Sequence, residues 1–443
     1  MTSNSQSSAE TGERPGSLLA LALLAPVAGA IAGLLGAIFR LALARGDHFR
    51  DTLIFWAHGH KAFGFLVLTL SCAAATTLAA GLVHRFSPRA SGSGIPQVEA
   101  VLEGEQHQVT TPLVLVKFFG GLLAMGAGLA LGREGPSVQM GASSADTLAK
   151  LFKRNLPDRR VLLAAGAGAG LAVAFNAPIA GAIFVLEELV RRFEPRIAIV
   201  ALGASSAAIT VAHLFLGYQP DFHVQALEFT RNNGIKLLFF VLGAVAGLAG
   251  IAYNHAILGA IDAAERLRGW PVELRAAFIG AAVGVLAWFA PALVGGGDPI
   301  TQRVLEGVGT LAMLPLLFLI RFGLGSVSYA AATPGGLFAP MLVLGAQLGL
   351  FFGLGCQFLF SGLGIEPVAF AVVGMAAFFA GVVRAPLTGI VLVTEMTGNV
   401  TMLLPMLSAC FAAMLIPTLL RNPPIYDSLK ERAVRKASAA AAP

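Results

Sequence analysis

Gly132-Arg133-Glu134-Gly135-Pro136 places a carboxylate inside an apolar stretch. From Leu113 to Leu131 the only charge is Lys117, and from Ser137 to Ala145 there is none. Ionisable groups inside membrane segments are costly and rare, so Glu134 reads as a functional residue. The glycines and the proline around it break a helix at depth. A membrane protein tolerates that only where the freed backbone lines a cavity or another segment of chain. Two structural readings compete: Glu134 as the partner of Arg133, or as an acidic cap on a helix N-terminus. Adjacent helical residues point about 100° apart, which makes the first a poor pair.

The rest of the chain supports a membrane setting. Of 443 residues, 56% are hydrophobic and 12% are Asp, Glu, Lys or Arg, about half the charged share of a soluble domain. Apolar runs recur from Ser17–Leu43 through Val161–Val190 to Met402–Leu420, which predicts an all-α polytopic membrane protein. The short alternating segments of an outer-membrane barrel are missing from the sequence. The net charge of +6 is concentrated in short loops such as Lys150–Arg160 and Arg191–Arg196 and in Lys430–Lys436. Basic loops beside spans mark a cytoplasmic side and leave no reason to expect nucleic-acid binding. Cys72, Cys356 and Cys410 lie in apolar runs, and neither they nor the eight histidines show metal-ligand spacing, so no metal or cofactor is expected. Residues 1–16 read as a polar, disordered tail. The segment that follows is too long for a signal-peptide core and reads as a retained first helix.

The chain also repeats itself. Ala177-Pro178-Ile179-Ala180-Gly181 is echoed 208 residues later by Ala385-Pro386-Leu387-Thr388-Gly389, and Gly166 by Gly374 at the same offset. Gly132, Pro136, Gly141 and Ala142 match Gly336, Pro340, Gly345 and Ala346 at an offset of 204, as Lys117-Phe118 matches Arg321-Phe322. Several matches in one order point to duplication, with halves at 17–225 and 226–425 and a final helix and cytoplasmic tail at 426–443. Glycine- and proline-interrupted segments paired between two halves point to a binding site at the bilayer midplane. The offsets do not distinguish parallel from inverted halves.

Gly92-Ser93-Gly94-Ile95-Pro96, then Gly132-Arg133-Glu134-Gly135-Pro136, then Gly335-Gly336-Leu337-Phe338-Ala339-Pro340, and a late Tyr426 resemble the CLC family of chloride channels and chloride/proton antiporters. The resemblance covers about residues 17–432. It implies two inverted-topology repeats of tilted, broken helices, assembled as a homodimer with a separate pathway in each subunit. It also implies a place in the plasma (bacterial inner) membrane, among lipid, with both termini cytoplasmic. No cytoplasmic CBS pair follows Tyr426, as in short, bacterial-type members.

An anion crossing hydrocarbon must shed water, yet a full lysine or arginine charge would hold it too tightly for turnover. Exposed N–H groups and the dipole at a helix N-terminus are better suited. Pro96 fits a first helical turn, where no N–H is needed, and the Ser93 hydroxyl can donate to an anion or serve as an N-cap. Tyr426 by itself reads as an interfacial anchor. The resemblance implies that Ser93, Tyr426 and the backbone amides of Leu337 and Phe338 bind chloride, Ser93 favouring chloride over nitrate. Fluoride export is disfavoured by the presence of both Ser93 and Tyr426. The transported partners are then chloride and protons.

A carboxylate is itself an anion, so ionised Glu134 can occupy the place a halide wants, and protonation frees it. Such a residue resembles the family's external gating glutamate. Glu187-Glu188 ends the apolar run from Ala177 and reads as a helix end at an interface, ion-paired to Arg191 and Arg192. The resemblance implies that Glu188 relays protons from the inner side, as in the antiporters, and that Glu187 is structural. The second half has Glu395 and Met396 at these two positions, so the relay is not duplicated. Gln97 stands where relatives commonly carry glutamate. The leading expectation is antiport, with a passive voltage- or pH-gated channel as the alternative. An intramembrane enzyme with Ser93 as nucleophile lacks an obvious base in mid-span, so no enzymatic activity is expected.

Overall fold

The computed structural model describes residues 15–104, 112–225, 233–267 and 269–441. Most of the tail expected at 1–16 therefore lies outside the described residues. The described chain is built of α-helices: α1 (Pro15–Gly59), α2 (Lys61–Phe86), α3 (Ile95–Glu103), α4 (Pro112–Gly126), α5 (Glu134–Leu151), α6 (Leu156–Phe175), α7 (Pro178–Phe184), α8 (Pro195–Leu216), α9 (Asn233–Arg266), α10 (Val272–Phe289), α11 (Asp298–Leu305), α12 (Met313–Tyr329), α13 (Phe338–Leu359), α14 (Pro367–Val383), α15 (Pro386–Thr397), α16 (Leu403–Leu419) and α17 (Ile425–Ala441). Among the described residues the β-bridges are isolated ones, Gly92 with Pro334 and Gly132 with Gly336.

Among the described residues, six helices are long and apolar enough to cross a membrane, including α13 (Phe338–Leu359). Others are shorter than the apolar runs that encode them. A 17-residue helix such as α14 rises about 25 Å, less than a hydrocarbon core of about 30 Å. The continuous run Val161–Val190 is two helices. It breaks at Asn176, a left-handed C-cap with φ 52°, and resumes with Pro178 in the first turn of α7. The turn Val185–Leu189 then widens to π geometry.

Helices α9–α16 repeat α1–α8 in order. Short α3 and α11 each follow a left-handed glycine, Gly94 (φ 89°) and Gly297 (φ 105°), a conformation that excludes most side chains. Lys117 of α4 and Arg321 of α12 each reach back to carbonyls ahead of those short helices, Lys117 to Gly92 (2.7 Å) and Arg321 to Leu293, Gly295 and Gly296 (2.9–3.0 Å). The halves also exchange caps. Glu187, just after α7, accepts from the N–H groups of Leu387 (2.9 Å) and Thr388 (2.6 Å) at the start of α15. Glu395 of α15 accepts from those of Ile179 (3.1 Å) and Ala180 (2.8 Å) at the start of α7. Such reciprocity is the mark of two-fold related halves, and it satisfies helix N-termini that would otherwise be orphaned.

Helices approach closely where glycine allows it, α5 with α6 through Gly141 and Gly166, and α13 with α14 through Gly345 and Gly374. A Cβ on Gly349 would stand 2.7 Å from the Phe370 carbonyl carbon and 2.8 Å from Ala371 Cα, neither of which can rotate away. Gly349→Ala is therefore expected to destabilise the protein by about 1–3 kcal/mol. Gly355→Ala, where nothing lies within 4 Å, should be near neutral. Thermal unfolding of both in detergent checks this, and equal midpoints would contradict the α13–α14 contact.

Candidate functional site

Three glycine turns meet at the centre of the molecule. The Gly132 N–H donates to the Gly336 carbonyl (2.9 Å), and the Gly336 N–H donates to the Gly132 carbonyl (2.7 Å). On the other side the Gly92 N–H donates to Thr333 O (2.9 Å), and the Gly335 N–H to Gly92 O (3.1 Å). The turns ahead of α3, α5 and α13 are thereby stitched into one unit, so the starts of α5 and α13 converge. A Cβ on Gly135 would lie 2.8 Å from Ser93 Oγ, and one on Gly335 would lie 2.6 Å from Leu131 Cβ. The site thus requires glycine for close approach as well as for φ.

Glu134 is fully buried. The Phe338 N–H, at the start of α13, donates to its Oε1 at 2.7 Å, while Oε2 is buried without a hydrogen-bond partner. A Cβ on Gly336 would stand 2.7 Å from the carboxyl carbon, so the carboxylate is walled by bare backbone. The Phe338 ring is held among Phe379 (4.5 Å), Phe184 (5.8 Å), Phe175 (6.0 Å) and Tyr426 (6.1 Å), which fixes the amide that meets Glu134. Ser93 and Tyr426 are fully buried, and their hydroxyls, which lie near each other, have no hydrogen-bond partner of normal geometry among the described residues. Ser93 is not an N-cap, because Gly94 takes that position. The Ser93 N–H donates to the Tyr329 hydroxyl (3.2 Å), leaving the Ser93 side chain uncommitted.

Arg133 points away from its neighbour. Its Nη1 pairs with Asp298 (2.9 Å), its Nη2 with Asp221 (2.8 Å), and its Nε donates to Ala174 O (2.8 Å). Arg40 holds the second Asp221 oxygen at 2.7 Å. The three donor nitrogens of Arg133 are spent on α11, the α8–α9 connection and the end of α6, so Glu134 is not half of an Arg133–Glu134 pair.

Glu187 and Glu188 diverge within the π turn. Glu187 goes to α15, whereas Glu188 is buried with Oε1 unbonded, 3.6 Å from Arg191 Nη2. Arg191 is bonded to Asp427 at 2.5 Å. Burial disfavours the Arg191 charge, but the bond to Asp427 and the fields of Glu188, Asp427 and Glu99 outweigh it and push its pKa above the ordinary value. Arg192 pairs with Glu194 instead (2.7 Å). π turns inside helices recur at functional sites.

The family profile described as "Voltage gated chloride channel" matches residues 75–418. The chain belongs to the CLC family. It is 37% identical over 428 residues to the H(+)/Cl(-) exchange transporter ClcA of Yersinia pestis, which covers 94% of this chain and 88% of that protein. The fold matches that of a slow cyanobacterial Cl-/H+ antiporter with a TM-score of 0.90 at 33% identity, over 96% of this chain and 99% of the other. A eukaryotic CLC transporter matches with a TM-score of 0.75 at 26% identity, over 93% and 74%.

In this CLC protein the stitched turns bring together the residues singled out from the sequence. Gly92, Ser93, Gly94, Ile95 and Pro96 open α3, Gly132 to Pro136 open α5, and Gly335 to Pro340 open α13. Tyr426 enters from the first turn of α17, its ring stacked near Phe338. Three participants were not assigned from the sequence. Tyr329 takes the Ser93 amide, Lys117 holds the Gly92 carbonyl, and Glu99 on α3 is fully buried with both oxygens unbonded. The repeat match of Lys117 with Arg321 was a usable signal for the second. Tyr329 carried none.

Buried hydroxyls without partners forfeit their hydration, so replacing them with apolar isosteres loses no bond. Tyr426→Phe is expected to leave thermal stability unchanged or raise it by up to about 1 kcal/mol. A drop of about 2 kcal/mol in a denaturation assay would show that the hydroxyl has a structural partner.

Proposed function

We propose that this protein exchanges chloride for protons across the bacterial inner membrane. The observation that carries the proposal is the Glu134 carboxylate on the Phe338 amide, at a helix N-terminus beside the unpartnered hydroxyls of Ser93 and Tyr426. The relatives named above as exchangers and antiporters support it. The anion ligands are the Ser93 and Tyr426 hydroxyls with the amides of Leu337 and Phe338. Ionised Glu134 competes with chloride for those same donors. When Glu134 takes a proton from outside it loses its charge, releases the Phe338 amide and leaves the donors to the halide. When chloride leaves, the carboxylate returns and its proton moves on to the inner side by way of Glu188. Competition for one set of dipoles thus links the two ions, and no full positive charge is needed to bind either.

The wider assignments follow the same reading. The repeats run 17–225 and 226–425, with α17 and a cytoplasmic tail at 426–443. Both termini lie on the cytoplasmic side with the basic segments Arg191–Arg196 and Lys430–Lys436. Two copies associate, each with its own pathway, through a face that includes adjoining α7 and α15, where Ile179 and Leu387 are exposed.

In liposomes, a chloride gradient is expected to drive protons uphill, and the reversal potential should respond to both the pH and the chloride gradient. A potential set by chloride alone would make the protein a passive channel. Glu134→Ala should retain chloride flux yet lose pH dependence and proton coupling; unchanged coupling would overturn the gate. Glu188→Gln should abolish proton movement while chloride still passes, and intact proton flux in that variant would overturn the relay.

A further inference from the structure

The helix that presents Tyr426 is also tied, by charge, to the surroundings of Glu188. On α17, Asp427 is bonded to Arg191 at 2.5 Å, and Arg191 lies 3.6 Å from Glu188 Oε1. One turn on, Lys430 is bonded to both Glu103 oxygens (2.8 and 2.9 Å) and stands 3.9 Å from Glu99 Oε2. Glu99 is fully buried, and neither of its oxygens has a hydrogen-bond partner among the described residues. Its charge repels that of Glu188, the π turn being packed against α3. Among the described residues, Glu187, whose carboxylate is occupied on α15, and Arg160, whose guanidinium lies by Gly104 at the end of α3, also lie near the pair. Four carboxylates (Glu99, Glu103, Glu188 and Asp427) therefore face two cations, Arg191 and Lys430, and both cations bind α17 to its neighbours.

Two adjacent buried carboxylates do not readily ionise together. A proton on the Glu99–Glu188 pair removes a negative charge from the side that Lys430 and Arg191 face, and it weakens the hold on α17 at the turn that carries Tyr426. We infer that Lys430 and the Arg191–Asp427 pair form a charge clamp that couples protonation of the Glu99–Glu188 pair to the seating of Tyr426. This rests on the reading of Glu188 as proton relay and Tyr426 as chloride ligand. Lys430, Arg191 and Asp427 are positioning residues and touch neither transported ion.

The signs of the expected effects differ between the two arms of the clamp. Lys430→Gln removes a cation from the pair and raises its affinity for protons. Asp427→Asn removes an anion and frees Arg191 for Glu188, which lowers it. Chloride-driven proton flux is measured against bath pH in inside-out vesicles, which expose α17. The midpoint is expected to move up by about 1 pH unit for Lys430→Gln and down for Asp427→Asn. Chloride binding to purified Lys430→Gln, measured by calorimetry at neutral pH, should weaken roughly threefold to fivefold, and Lys430→Arg should restore both readouts. Midpoints that stay fixed, or that move in the same direction for both variants, would overturn the clamp. If Glu188→Gln abolishes proton flux while those midpoints stay fixed, the clamp falls and the relay stands. If Glu188→Gln keeps its proton flux, both fall.

Discussion

Backbone-to-backbone contact between the two halves is the constraint on which the other features depend. The Gly132 and Gly336 peptides exchange hydrogen bonds across the middle of the protein, and Gly92 joins the same seam through Thr333 and Gly335. Any side chain at Gly135 or Gly336 would occupy space held by Ser93 or Glu134. Because the turns meet without side chains between them, the N-terminal ends of α5 and α13 are brought close enough for the Glu134 carboxylate to reach the Phe338 amide. The aromatic cage around Phe338 then keeps that amide in place. Partial charges can act at this depth only when they are fixed and unhydrated, and both conditions come from the seam.

The two halves use one design for different purposes. Glu187 and Glu395 each cap the other half's helix, which ties α7 and α15 together. One residue further on the symmetry ends. Glu188 is carried by a π turn, whereas Met396 sits in the regular helix α15. Lys117 and Arg321 likewise anchor equivalent turns, yet the first half has Ser93 where the second has only glycines, Gly295 to Gly297, before Asp298. A near-symmetric scaffold supplies rigidity, and a few asymmetric residues distinguish its two halves.

Charge outside the central site is organised to avoid competing with it. Arg133, next to Glu134 in sequence, is fully engaged by Asp221, Asp298 and the Ala174 carbonyl. Sequence proximity suggested a pair that geometry removes. Around Glu188 the reverse holds: Asp427, Lys430 and Glu99 lie far from it in sequence and gather near it only because α3 packs against the π turn and α17 packs against α3.

The sequence by itself determined the membrane setting, the duplication and the positions of the glycine turns. Hydropathy, helix-breaking residues and repeat offsets are local properties that survive without coordinates. The burial of Glu134 was legible for the same reason, as a carboxylate set among apolar neighbours. The division of Val161–Val190 was not, because a run of apolar residues does not reveal that Asn176 turns left-handed ahead of Pro178. Nor could the sequence show that Tyr329 would take the Ser93 amide, that Glu99 would lie buried beside Glu188, or that Lys430 would reach α3. Those relations join residues up to hundreds of positions apart. Only the fold, through close glycine approach and reciprocal helix capping, decides which distant groups share one low-dielectric space and must satisfy one another there.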